Sequence, residues 1–180
     1  MIDISARQKI HTRKIDIATY EGESDSIIVE GILRDERLLD AYQSTGEVYP
    51  PGTIHHMIIR MKIRGPQLVI EDIEVEMPTI PHNECIETHK SLSPLKGIPI
   101  VSGFNANVKK LIGRTKGCSH LMSLLTAMAP AAVQGAWSAM AREPVDPEIY
   151  MPSAMERLEN TCWVWREDGP LMEKFKNFKK

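Results

Sequence analysis

The chain has little cysteine, little net charge and no long apolar run, and each shortage excludes a class of protein. Three cysteines in 180 residues are an odd number and too few for a disulfide framework. A formal net charge of -2 gives no electrostatic attraction to nucleic acid or to anionic membranes, so neither is an expected partner. No apolar run reaches transmembrane length, and the first residues, MIDISARQKIHTRK, lack the apolar core of a signal peptide. These features predict a cytoplasmic protein whose cysteines remain free thiols.

Common motifs of nucleotide-binding and hydrolytic enzymes are also missing. Gly113 and Gly117 form neither a phosphate-binding loop nor a dinucleotide fingerprint, and no Gly-x-Ser-x-Gly elbow occurs. What remains is a globular composition with 42% hydrophobic and 26% charged residues. A length of 180 residues suits one well-buried core, so the sequence predicts a single domain over residues 1–180.

Alternating polarity predicts two β-hairpins in the first half of the chain. Residues 13–20 and 26–33 flank a turn-like segment and form the first hairpin. Residues 55–64 and 68–77 both alternate between apolar and polar side chains and form the second. Two hairpins together predict an antiparallel sheet of about four strands.

The register of the second hairpin follows from the need to keep charge off its apolar face. A three-residue loop pairs Ile63 with Val69. A two-residue loop would place Ile59 opposite Asp72 and so mix an apolar with a charged residue. Glu71 falls on the alternate positions that otherwise carry apolar residues. Its placement therefore requires either a bulge in the strand or a partner for its carboxylate.

The longest apolar segment, Gly113 to Met140, predicts a helix that is buried on most sides. Its apolar residues recur at helical spacing on two stripes, separated by small polar residues. Pro130 is expected to kink or divide this helix, because proline removes a hydrogen-bond donor and clashes with the preceding turn. With strands first and helices after them, the predicted fold class is α+β, an antiparallel sheet with helices packed on one face.

Cysteine and histidine supply the first candidate site. Cys118 lies where a loop becomes the long helix, and the free amides at a helix start stabilise a thiolate. His120 can share a site with Cys118 only if Cys118 caps the helix. The first hypothesis is a protein that binds zinc or an iron–sulfur cluster through Cys85, Cys118, His120 and Cys162. A purely structural role is the alternative, since free cysteine is among the most buried residue types.

His55 supports a second hypothesis, a small-molecule enzyme of the isomerase, hydrolase or lyase type. It lies on the same alternate positions as the apolar residues of its strand, so its side chain is expected to face inward. A histidine in such a place works as a general base near neutral pH. Cys118 or His120 would act as acid or nucleophile. Arg13 or Arg60 would hold a substrate carboxylate. The structural alternative for His55 is a strand-end histidine bonded to the backbone.

Two further interpretations concern surfaces. Glu30 and Asp35 lie near a strand end, where acid–base residues occur, but surface charge is their simpler interpretation. The methionine-rich helix would also serve as the face of a homo-oligomer. That interpretation ranks third, because a buried core explains the same residues.

The order of these motifs resembles a family of small bacterial proteins known only as a domain of unknown function. The resemblance rests on His11-Thr12-Arg13, His55-His56-Met57, Gly117-Cys118-Ser119-His120-Leu121 and Asn160-Thr161-Cys162. It spans about residues 11–170, followed by a basic tail at residues 171–180. This chain has His56 where the family pattern carries an aspartate. The resemblance implies a grouping and no activity.

A looser likeness concerns the fold alone. An antiparallel sheet followed by Gly-Cys at a helix start is similar to iron–sulfur scaffold and sulfur-acceptor proteins. That likeness implies cysteine ligands with a nearby acid or histidine, and a likeness of fold does not carry function.

Overall fold

The computed structural model of the chain describes residues 1–144, 146 and 154–177, which divide into two compact units. The larger unit, Met1–Ala139, contains the sheet and the helices that cover it. The smaller unit is Met140–Lys180. A single domain over residues 1–180 remains a prediction. In the described part of the chain, no helix combines the length and hydropathy needed to span a membrane.

The larger unit is built on four antiparallel strands, which confirms the predicted α+β fold class. The sheet has the strand order β1-β2-β5-β6, and β3 pairs with β4 in a separate small hairpin. The strands are β1 (His11–Glu21), β2 (Ser26–Arg37), β3 (Ala41–Tyr42), β4 (Val48–Tyr49), β5 (Gly52–Arg64) and β6 (Val69–Thr79).

The β5–β6 hairpin differs from its predicted register. Ile63 pairs with Ile70, and the predicted pairing with Val69 is wrong. The register shifts at this point because Glu71 is an extra residue on β6, and its carboxylate lies beside Arg64. A bulge was one of the two alternatives predicted for Glu71. It allows Ile70 to face the core together with Ile63 even though the strand pairing has moved.

Helices cover one face of the sheet, as the sequence predicted. They are a 3-10 helix at Asn83–Leu95, α1 (Phe104–Ile112), a short 3-10 helix at Arg114–Lys116, and α2 (Ser119–Met140), which continues through Pro130 without a division. The core between these helices and the sheet is made of aliphatic and methionine side chains together with Phe104.

Helix α2 lies directly on β2 because Gly31 has no side chain to hold it away. A Cβ atom on Gly31 would meet the sulfur of Met128 at 2.5 Å and Cδ1 of Leu124 at 3.0 Å. Further along the same helix, Gly135 approaches Thr19 of β1 in the same way. These two close approaches fix how closely the middle of α2 lies above the sheet.

The smaller unit contains helical residues 154–158 and α3 (Pro170–Asn177). Within it, the rings of Trp165 and Phe175 meet edge to face with centroids 5.4 Å apart. Most of the segment predicted as a basic tail, residues 171–180, therefore belongs to a helix. Cys162 lies in this unit and is exposed.

Candidate active site

Three adjacent strands bring a carboxylate, a guanidinium and an imidazole to one end of the sheet. Asp35 continues the inward-facing alternation of β2, two residues after the buried Leu33. The strand register sets Arg13 of β1 and His55 of β5 opposite Asp35 on its two sides. Residues directly opposite each other point to the same face of a sheet, so these three side chains meet on the face that the helices cover.

Asp35 is the centre of this group. It is 2% exposed, and both of its oxygens accept hydrogen bonds from Arg13. Arg13 Nε lies 2.6 Å from Oδ1, and Nη2 lies 2.7 Å from Oδ2. These bonds lower the pKa of Asp35 and raise the pKa of Arg13, so both groups stay charged near neutral pH.

His55 is oriented by the same carboxylate. Its Nδ1 lies 3.0 Å from Oδ2 of Asp35. An ionised carboxylate can only accept hydrogen bonds, so Nδ1 of His55 carries the proton and Nε2 has a free lone pair. Burial lowers the pKa of His55, and this effect outweighs the attraction of Asp35 for the imidazolium. His55 is therefore a neutral base at pH 7, and it faces inward as its parity predicted.

His120, in the first turn of α2, stacks on His55. The ring centroids are 3.7 Å apart and the planes differ by 29°. His120 Nε2 lies 3.7 Å from Oδ2 of Asp35. Burial lowers the pKa of His120, and so does repulsion from the protonated form of His55 and from Arg13, so this second imidazole is also neutral at pH 7. At the outer edge of the group, His11 Nε2 lies 3.8 Å from Oδ1 of Asp35.

Cys118 caps helix α2. Its carbonyl accepts the amide proton of Met122 at 3.0 Å, the first hydrogen bond of the helix. The sulfur of Cys118 lies 3.7 Å from Nδ1 of His120. The sequence required Cys118 to be at the cap for the two side chains to share a site, and the structure places it there.

A cavity of about 470 Å³ opens beside these groups. Its wall opposite β5 comes from the start of the 3-10 helix at Asn83–Leu95 and the residues before it. The lining residues are His55, Met57, Pro81, His82, Cys85, Thr88, Cys118, Ser119 and His120. The cavity wall thus offers imidazole, thiol and hydroxyl groups among apolar atoms, with no lysine or arginine among its described lining residues.

The remaining predicted site residues are Cys85, Arg60 and Cys162. Cys85 is half-buried and lines the same cavity as Cys118. Arg60 alternates with the buried Ile59, so it projects from the opposite face of the sheet, where its Nε lies 2.6 Å from Oε2 of Glu30. Cys162 belongs to the smaller unit and is exposed.

Potential metal ligands form one close group within residues 1–144, 146 and 154–177. One ligand atom from each of Asp35, His55 and His120 lies within 4.8 Å of the others. This group shares His120 with the cysteine–histidine set predicted from the sequence. The complete set of Cys85, Cys118, His120 and Cys162 remains a prediction.

Sequence reasoning ranked the central residue of the site too low. Asp35 was considered as an acid–base residue at a strand end, but surface charge was preferred, and its burial shows that preference to be wrong. The available signal was parity: the inward positions of β2 run from Ile27 through Val29 and Leu33 to Asp35. A carboxylate at the end of a buried row needs a partner, and Arg13 supplies it.

Comparisons with known proteins add a family and no activity. No curated protein and no solved structure gave a significant match. One family model, described as "Protein of unknown function (DUF2889)", matches residues 11–134. That range contains the arginine, the carboxylate, both stacked histidines and the capping cysteine of the site. The chain belongs to this family of proteins of unknown function, DUF2889.

Proposed function

We propose that this protein is an enzyme that acts on a small molecule by proton transfer, with His55 as the general base. The 3.0 Å contact between His55 Nδ1 and Asp35 Oδ2 carries the proposal. It fixes the tautomer of a neutral imidazole whose second nitrogen is free and whose ring lines a cavity. A positioned imidazole base of this kind serves proton transfer in isomerases, hydrolases and lyases.

Each group around His55 has a role in that proton transfer. His55 Nε2 accepts a proton from a substrate carbon or from water in the cavity. The positive charge that develops on the ring is stabilised by Asp35, which stays ionised because Arg13 binds both of its oxygens. His120 stacks on the ring of His55 and limits its rotation. Burial keeps the base neutral before the reaction begins.

The two arginines suggested for a substrate carboxylate take other roles in this proposal. Arg13 holds Asp35 with two hydrogen bonds, so we assign it a positioning role. Arg60 binds Glu30 and Glu76 on the far face of the sheet. Because the described cavity wall has no guanidinium to offer, we propose a substrate whose reacting part is uncharged.

The test is isotope incorporation by a matched pair of variants. Wild-type protein is incubated in D₂O or H₂¹⁸O with a panel of small ketones, enones, lactones and esters, and products are read by mass spectrometry. His55→Gln should lower the rate by on the order of 10²–10⁴-fold. His56→Gln changes the neighbouring residue, which points to the opposite face, and should leave the rate unchanged. A substrate turned over equally by wild type and H55Q contradicts the proposal.

Metal binding is the second candidate, and the close grouping of Asp35, His55 and His120 favours it. Two imidazoles and a carboxylate are suitable ligands for zinc or ferrous iron. A zinc ion or iron–sulfur cluster on the cysteine–histidine set predicted from the sequence is the other form of this candidate. We rank a metal on the Asp35 group below the enzyme because Arg13 already neutralises Asp35, and its guanidinium would repel a divalent cation bound to the same carboxylate.

Metal content after anaerobic purification separates these alternatives. Stoichiometric metal that is lost in H55Q but kept in Cys118→Ala supports the Asp35 group. Metal that is lost in C118A and in Cys162→Ala supports the cysteine set. Less than stoichiometric metal in the wild type counts against both sets. A cytoplasmic location, the lack of nucleic-acid and membrane partners, and a homo-oligomer stay proposals from the sequence.

A further inference from the structure

One imidazole of the site lies between a thiol and the buried carboxylate. His120 Nδ1 is 3.7 Å from the sulfur of Cys118, and His120 Nε2 is 3.7 Å from Oδ2 of Asp35. Each contact uses a different ring nitrogen. This order of thiol, imidazole and carboxylate is the order of a nucleophile, its base and the group that orients the base. A general base at His55 alone leaves this second arrangement without a role.

We infer that Cys118 is a covalent nucleophile, with His120 as its base, and that the substrate is an acyl compound with a leaving group, such as an ester or thioester. This inference rests on the proposed function, because it uses His55 for a later step of the same reaction. It narrows that function to hydrolysis through an acyl-enzyme.

The first step transfers the acyl group to the protein. The thiol proton of Cys118 moves to Nδ1 of His120 while the sulfur attacks the carbonyl carbon. A carbon–sulfur bond forms, the bond to the leaving alcohol or thiol breaks, and the leaving group takes the proton from His120. The imidazolium that exists in between lies near the ionised Asp35, which stabilises it.

The second step releases the acid. His55 Nε2 takes a proton from a water molecule in the cavity while the water oxygen attacks the thioester carbon. The carbon–sulfur bond breaks, and the sulfur of Cys118 recovers a proton from His55. The sum is one ester and one water converted to one acid and one alcohol, with no oxidant or reductant.

The stacking of the two histidines is compatible with acylation by His120 followed by deacylation by His55. With centroids 3.7 Å apart, the two rings would repel each other if both were charged. Acylation returns His120 to its neutral form when the leaving group departs, before His55 accepts a proton. Asp35 can therefore stabilise each imidazolium in turn, since it lies within 3.7 Å of a nitrogen of both rings.

Cys85 is the matched control for Cys118. It is a second half-buried thiol that lines the same cavity. Within the described residues, the sulfur–imidazole contact of the site is made by Cys118. Cys85→Ser and Cys118→Ser therefore remove the same atom from the same cavity, but only C118S removes the sulfur that contacts His120.

The experiment uses p-nitrophenyl acetate as the probe and intact-protein mass spectrometry as the readout. In His55→Gln, deacylation is blocked, so one acetyl group should accumulate on Cys118. In the H55Q background, C118S should prevent the acetyl adduct, whereas C85S, which keeps the sulfur that contacts His120, should still acquire it on Cys118. In His120→Gln, acylation of Cys118 should slow by on the order of 10²-fold or more, because the thiol loses its base. Far-ultraviolet circular dichroism confirms that each variant is folded, and alkylation by iodoacetamide confirms that the Cys118 thiol remains reachable in H55Q and H120Q.

Several results would overturn the inference. They are an acetyl group on Cys85 in place of Cys118, equal acylation of wild type and H120Q, or no acetyl adduct on H55Q when H55Q has lost hydrolysis of the probe. Failure of the general base has a different signature. If C118S still hydrolyses the probe and H55Q does not, the covalent inference fails and His55 as base stands. If H55Q hydrolyses the probe as fast as wild type and C118S does not, His55 as general base fails and the covalent role of Cys118 stands.

Discussion

The sheet carries two clusters of arginine and carboxylate, one on each face, and they differ in burial. On the helix-covered face, Arg13 binds Asp35, whose side chain is 3% exposed. On the opposite face, Arg60 binds Glu30 and Glu76, whose side chains are 22% and 53% exposed. The first cluster joins β1 to β2, and the second joins β2, β5 and β6. The chemistry of the ion pairs is the same, and the surroundings are not.

The difference in burial determines how strongly each ion pair affects the groups around it. Water and salt screen the Arg60 cluster, so its charges act over short distances and add little to stability. The Asp35 carboxylate is buried although its Arg13 partner is 39% exposed, so its charge is screened less, and it lies against two imidazoles whose pKa values burial has already lowered. Only the inner cluster can therefore orient a base and stabilise the charge that develops on it.

The largest expected contrast comes from neutralising one carboxylate on each face. Asp35→Asn removes the buried carboxylate that Arg13 and His55 both contact, so it loses charge-assisted hydrogen bonds to two partners and should lower the free energy of unfolding by about 2–4 kcal/mol. Glu30→Gln should lower it by less than about 1 kcal/mol, because Arg60 keeps Glu76 and water. Urea denaturation measures both values. Equal losses for the two variants would contradict the distinction between the faces.

The arginines give the next contrast. Arg13→Gln removes two charge-assisted hydrogen bonds from Asp35 and should cost about 1.5–3 kcal/mol of unfolding free energy. It should also raise the pKa of Asp35, since the bonds from Arg13 are the main cause of its lowering. Carboxyl carbon NMR follows that titration. Arg60→Gln is the control, and an Asp35 titration that moves equally in R60Q would show that the two clusters are not independent.

Packing distinguishes the helix-covered face from open positions on the same sheet. In Gly31→Ala the new methyl group meets Met128 and Leu124, so α2 must shift or Met128 must change rotamer, at about 1–3 kcal/mol. Gly52→Ala adds a methyl group with no atom within 4 Å and should change stability by less than about 0.5 kcal/mol. Thermal denaturation of the two variants provides the comparison. If G31A is as stable as wild type, α2 is not held against β2 as tightly as the structure shows.

The smallest expected effect is the pH dependence of stability. The pKa values of His55 and His120 are lowered from 6.5 by burial, so below pH 6.5 the unfolded chain binds protons more readily than the native protein. This contribution is fully present above pH 6.5 and is lost as pH falls through the lowered native pKa values. Stability should therefore decline from about pH 7 to about pH 5, and the decline should be shallower in H55Q/H120Q. A rise in stability over that interval would reverse the assigned direction.

Most of what could be predicted from the sequence came from the regular spacing of apolar and polar residues. It identified the strands, the inward orientation of His55 and the buried helix, because these depend on local periods of two and 3.6 residues. Cys118 at the helix start followed from the change of pattern near Gly117. The same reasoning misjudged the β5–β6 register, since a bulge at Glu71 depends on how two strands align and not on either strand alone.

The partners of the site could not be predicted for a related reason. Asp35 falls at a core-facing position of its strand, but a charged residue at a strand end is usually solvated, so this local signal alone did not decide between the two cases. Its burial becomes explicable once the strand register sets Arg13 and His55 on either side. His120 joins them because Gly31 allows α2 to approach the sheet. Both facts are properties of packed elements, which a linear sequence shows only indirectly.

The central claim is that Asp35 presents Nε2 of His55 to the cavity as a neutral base, and long-range proton–nitrogen NMR of the imidazole rings tests it most directly. At pH 7 the wild-type spectrum should show His55 with a protonated Nδ1 and an unprotonated Nε2, and D35N should lose that preference. A His55 ring protonated on Nε2 at pH 7, or one whose tautomer is the same in wild type and D35N, would contradict it.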